Sequence, residues 1–155
     1  MIEAPLATRA EIDQVRAILE PMIAGSLPTT DPCSEPLPAG LIEGVRLFNA
    51  GEYYECHEVI EHEWHAEHRP VRRLYQGILQ IGVGLHHARG GNLAGAILLL
   101  TDGIAKVSEF LPVCQSVPTS KLALDATRCL EHVQALGPDK LDEFDWSLAP
   151  VIDLP

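Results

Sequence analysis

Between residues 41 and 136 the chain is cut by helix breakers at short intervals, and that spacing constrains the fold more than any other feature. Asn49-Ala50-Gly51, His68-Arg69-Pro70, Gly90-Gly91, Pro112 and Gly137-Pro138 interrupt stretches whose apolar residues recur every three or four positions. Glycine ends a helix because its backbone is too free, and proline because it lacks an amide N–H. The punctuation predicts helices over residues 41–49, 52–66, 71–89, 92–110 and 120–136. No segment shows the strict alternation or the Asn-Gly turns of a hairpin sheet. The expected fold is all-α: five to six helices in stacked antiparallel hairpins.

Upstream, Thr8 and Glu11 fit a capping box, and Ile12, Val15, Ile18 and Leu19 follow at helical spacing. A helix is expected over 8–24, ended or kinked at Pro21. Residues 25–40 hold four prolines and two glycines and read as an extended connector. Its Leu27 and Leu37 argue that it lies against the surface. The expectation is therefore one helical domain over 1–155, with a core in 41–136 and a tail over 137–155. Phe144, Trp146 and Val151 would pack that tail along the surface. A chain of 155 residues can bury one core without disulfides or a structural metal.

An internal repeat supports the hairpins. Aligning Gly51 with Gly91 lays AGEYYECHEVIE over GGNLAGAILLLT, with Cys56 and Ala96 at the same small position. A period of about 40 and a small residue where two helices approach resemble tetratricopeptide-type helix pairs.

Charge excludes some partners. The formal net charge is −11, with 11 basic residues and no run of them. Binding to nucleic acid or an anionic membrane needs clustered Lys and Arg, so neither is expected. A protein partner or a homodimer remains open. No apolar run reaches the ~20 residues of a membrane helix, and no basic-then-apolar N-terminal stretch resembles a signal peptide. The four cysteines, at 33, 56, 114 and 129, form no C-x-x-C pair. They are expected to be reduced thiols in a cytoplasmic protein.

Residues 52–66 carry the most unusual chemistry. His57, Glu61 and Trp64 share one helical stripe, with Tyr54 above them and Glu58 and His62 beside them. An ordinary amphipathic helix would place Leu or Ile at positions 57 and 61. The following helix answers with Gln76, Gln80, Gly84 and His87, and its Gly77, Gly82 and Gly84 suggest close approach by a helix or a ligand. In an antiparallel hairpin about the turn near Arg69, residue 57 lies level with roughly 81, and 61 with roughly 77. Gln80 and Gln76 are then the neighbours of His57 and Glu61. His87 falls roughly 9 Å away along the axis, toward the glycine turn and Asn49.

Three readings follow. Imidazole and carboxylate one turn apart can chelate a divalent ion, Zn, Ni, Mn or Fe, with His57, Glu61 and Glu58 as the donor candidates. His57-Glu58-Val59-Ile60-Glu61 nevertheless misses H-E-x-x-H by its last residue. The same side chains could instead form a buried hydrogen-bond network that fixes helix register in a non-catalytic interaction module. A small hydrolase, metal-dependent or metal-free, would use Glu58 or His57 as general base. Trp64, Tyr53 and Tyr54 are expected as core anchors. His62, His65 and His68 are expected in solvent, and Asn49 and Asn92 at helix caps beside the pocket.

Taken in order, Phe48-Asn49-Ala50-Gly51-Glu52, His57-Glu58-x-x-Glu61-x-x-Trp64, Gln76-Gly77-x-x-Gln80 and His87-x-x-x-Gly91-Asn92 resemble the family called domain of unknown function 309, over roughly residues 38–135. The resemblance implies a small, cytosolic helical bundle and no assigned reaction. It maps the family's motif onto His57, Glu58, Glu61, Trp64, Gln76, Gln80, His87 and Asn92.

Overall fold

A computed structural model describes residues 9–14 and 31–155. The chain divides into two compact units, residues 1–31 and 32–155. In the first, residues 9–14 are helical and Arg9 pairs with Asp13 one turn on. The rest of the expected helix over 8–24, and residues 25–30 of the connector, lie outside the described residues.

The second unit holds five α-helices: α1 (Ala39–Asn49), α2 (Tyr53–Ala66), α3 (Arg72–Arg89), α4 (Leu93–Val107) and α5 (Thr119–Leu136). Short 3-10 turns at Pro32–Ser34, Ser108–Phe110, Leu141–Glu143 and Trp146–Leu148 complete it, and no strand occurs among the described residues. Each helix packs on the next in sequence. The fold is all-α.

The two glycine turns are built alike. Gly51 and Gly91 sit at φ +76° and +80°, a left-handed conformation that a Cβ disfavours. The Gly51 and Glu52 N–H groups donate to the Phe48 and Leu47 carbonyls; Gly91 and Asn92 donate to Ala88 and His87. Both are Schellman closures of a helix C-terminus, offset by 40 residues, and Cys56 and Ala96 are both fully buried. The weak repeat is therefore a repeat of backbone geometry.

Close helix approach explains two of the three α3 glycines. A Cβ on Gly77 would stand 3.1 Å from the Gly103 carbonyl oxygen, and one on Gly84 2.9 Å from Leu100 Cγ. The neighbour is thus α4, not a ligand. Gly82 faces Phe48 and Tyr53 at ordinary van der Waals range. Around α3 the core collects Leu41, Phe48, Ile60, Ile78, Ile81, Leu85, Leu100 and Leu122, all at most 1% exposed.

The cysteine expectation is corrected. Cys33 and Cys114 form a disulfide across 81 residues, while Cys56 and Cys129 are buried thiols. Burial pushes both thiols up to about 12. The bridge ties the Pro32–Ser34 turn to the loop between α4 and α5, where Gln115 completes the seam. Its backbone N–H donates to the Cys33 carbonyl at 2.8 Å, its Nε2 to the Pro32 carbonyl at 3.0 Å, and its Oε1 accepts from the Tyr75 hydroxyl at 2.8 Å. Beside it, the Arg69 guanidinium bonds both Glu35 and Glu67. That contact holds the Glu67 carboxyl down at about 2.

The tail is also tied in. Asn49 Nδ2 donates to the Ile152 carbonyl at 2.9 Å, and the Ile152 N–H donates to Asn49 Oδ1 at 2.8 Å. The Arg89 guanidinium lies against both Tyr53 and Trp146, 5.0 and 4.8 Å from their ring centres, and donates to the Gly51 carbonyl.

Candidate functional site

A recess of about 260 Å³ opens between α2 and α3. His57, Glu61 and Trp64 form its polar wall; Gln76, Leu79, Gln80 and Val83 of α3 form the floor; Leu99 of α4 closes the far side. α2 presents these polar residues because its core contacts come from a different stripe, Tyr53, Cys56 and Ile60. The helix is thus apolar on the α1 side, where Ile60 fills the space beside Gly44, and polar toward the recess.

Within the wall, His57 Nε2 lies 2.9 Å from Glu61 Oε2. The other carboxylate oxygen lies 3.4 Å from His65 Nε2, on the solvent side. The His57–Glu61 contact spans one helical turn and fixes both side chains at the rim. Trp64 is half-buried. The Arg72 guanidinium sits over its ring at 4.7 Å and reaches the Trp64 carbonyl at 3.3 Å. Trp64 is thus a clamped wall of the recess, packed against the core at its edge.

The floor holds an anomaly. Gln80 Oε1 is buried and has no hydrogen-bond partner, alone in this among the buried side-chain nitrogens and oxygens of the described residues. His57 is paired with Glu61, and neither side chain satisfies Gln80 Oε1. The network imagined from sequence is open at this end.

The structure therefore brings together His57, Glu61, Trp64, Gln76 and Gln80 and separates the other candidates from them. Glu58 is exposed and lies outside the recess lining. Asn92 caps α4, its Oδ1 accepting from the Gly95 N–H at 2.9 Å. His87 Nδ1 lies 3.3 Å from Asn92 Nδ2, and a Cβ on Gly95 would meet the His87 ring at 2.9 Å. His87 thus serves the Gly91 turn rather than the Gly51 turn, which Arg89 serves instead. Asn49 caps nothing; its amide pairs with the tail. Tyr53 is a core anchor at 3% exposure, whereas Tyr54 is 56% exposed and lies against His57 and His86. His62, His65 and His68 are exposed.

Sequence reasoning missed the apolar half of the recess. Leu79 and Val83 lie on the same α3 stripe as Gln76 and Gln80, so helical spacing already carried that signal. Leu99 carried none, because it comes from a separate helix. For metals the donor set is thin: among the described residues no group of three or more His, Cys, Asp or Glu side chains is arranged to hold an ion. No helix of the described residues is long and apolar enough to cross a membrane.

Comparison with known proteins locates this site within a family segment. The chain is 33% identical over 86 residues to "Uncharacterized protein YpuF" of Bacillus subtilis (strain 168), an alignment covering 55% of this chain and 47% of that protein. The chain thus spans about half the length of the curated relative it matches. No solved structure matches. Residues 41–99 match the family model described as Domain of unknown function (DUF309), a shorter span than the motifs suggested. That segment runs from α1 into α4 and contains every residue that lines the recess.

Proposed function

We propose that the recess between α2 and α3 is a binding site for a small ligand, which the His57–Glu61 pair and Gln80 orient and the Leu79, Val83 and Leu99 side chains desolvate. The observation that carries this reading is the orphan Gln80 Oε1. A buried acceptor without a partner costs about 1–3 kcal/mol, and folded proteins retain few such atoms. A rotation of the Gln80 amide toward the recess would let a donor on a ligand recover that cost; a purely structural network would have closed on itself. Concave sites with an apolar lining and a few convergent polar groups are the usual form of small-molecule sites.

Titration of isotope-labelled protein with a set of small amides, amines and alcohols tests it. Resonance shifts should centre on His57, Gln80, Val83 and Leu99, and vanish in Val83→Phe, which fills the recess. A set that moves none of these resonances overturns the reading.

The divalent ion considered above would rest on His57 and Glu61 alone. Zinc sites use three or four protein ligands, so a two-donor chelate holds an ion weakly, and the ligand reading does not need one. A hydrolase with Glu58 as base gains nothing from an exposed Glu58 outside the recess. An interaction module draws support from exposed Leu98 beside Leu99 on α4. The orphan acceptor, however, favours a ligand with a hydrogen-bond donor over a flat apolar contact.

A further inference from the structure

Charge and hydrogen-bond polarity around the recess together specify what kind of ligand fits, an inference that rests on the proposed binding function. The lining contains one carboxylate, Glu61, and no Lys or Arg. The nearby Arg72 is engaged with the Trp64 ring and carbonyl. The unpaired group on the floor is an acceptor, Gln80 Oε1. Glu61 keeps one oxygen for His57 at 2.9 Å, while its second oxygen makes only a long contact of 3.4 Å to exposed His65. An anion entering this space would meet Glu61 with no lysine or arginine in the lining to offset it. A cation with several N–H donors would meet Glu61 Oε1 at the rim, and Gln80 Oε1 once the Gln80 amide turns from its sealed position toward the recess.

The opposite side is hydrocarbon: Leu79, Val83 and Leu99. A recess of about 260 Å³ lies just below the usual range of small-molecule pockets, so the occupant is a small molecule. The geometry points to a small alkyl-guanidinium or alkyl-ammonium compound, with its cationic head between Glu61 and Gln80 and a short methylene chain along Leu79, Val83 and Leu99. The head donates N–H bonds to both acceptors, and its charge is neutralised by Glu61, which lies in a partly desolvated setting where such contacts are stronger than in water.

n-Butylguanidinium, n-butylurea and hexanoate test this, because they are similar in size and differ in charge. Chemical-shift titration of the full chain should give butylguanidinium binding at least tenfold tighter than butylurea, with hexanoate inert. Glu61→Gln should weaken butylguanidinium at least tenfold, and 0.5 M salt should weaken it while leaving butylurea unchanged. N-acetyl-arginine amide, run alongside, separates the sources. Binding as tight as butylguanidinium assigns the head group to an arginine side chain; weaker binding assigns it to a free compound. Equal or tighter binding of butylurea or hexanoate overturns the cationic ligand and leaves the recess a binding site of other specificity. If none of the three shifts the lining resonances, the binding site itself falls, and this inference with it.

Discussion

Two glutamines separate the two halves of this molecule. Gln115, 1% exposed, sits where the Pro32–Ser34 turn meets the loop between α4 and α5; it makes two hydrogen bonds across that seam and a third to Tyr75 of α3. The disulfide and the Arg69 contacts to Glu35 and Glu67 lie beside it. Gln80 sits between α2 and α3, and its carbonyl oxygen has no partner. The same side chain is used once to close a junction and once to leave a group waiting. The difference teaches that polarity alone does not mark a site, since Gln115 is more deeply buried than anything in the recess. Unsatisfied polarity next to open volume does.

The largest effect expected from breaking the closed seam belongs to the disulfide. Cys33→Ser with Cys114→Ser releases a constraint across 81 residues, worth roughly 4 kcal/mol on the chain-entropy account. Urea unfolding of the double variant and of the wild type in reductant should show the same loss. Equal midpoints with and without the bridge would make the seam independent of it. Next comes Gln115→Leu, which strands the Tyr75 hydroxyl and the Pro32 carbonyl and should cost about 3 kcal/mol. Calorimetric unfolding measures it. A loss below about 0.5 kcal/mol would show that water replaces Gln115 and that the seam is no more closed than the recess.

Much of the fold was legible because helix breakers act locally. Gly51, Gly91 and Gly137, all at positive φ, end helices by their own backbone properties, so their positions in the chain are their positions in the structure. The meeting of His57 and Glu61 with Gln76 and Gln80 followed from register arithmetic across a short turn, and Leu79 and Val83 follow from the same stripe. What was not legible depends on contacts between distant segments. Nothing near Cys33 announces Cys114, and a thiol in a helix such as Cys56 looks the same on paper as one in a loop. Asn49 looked like a helix cap because its partner, the Ile152 backbone, lies 103 residues away. Tyr54 looked like an anchor because the stripe it shares with His57 faces a recess, not the core. His87 was assigned to the wrong glycine turn because two equivalent turns exist, and only packing against Gly95 distinguishes them.

Gln80→Leu is the most direct test, because leucine and glutamine have similar volume and helix propensity. If Gln80 Oε1 is an unsatisfied acceptor kept for a ligand, the substitution raises the unfolding free energy of the ligand-free protein by about 1 kcal/mol. If the variant instead loses stability by 1 kcal/mol or more, Gln80 is bonded in solution, the polar cluster is structural, and the recess holds nothing in wait.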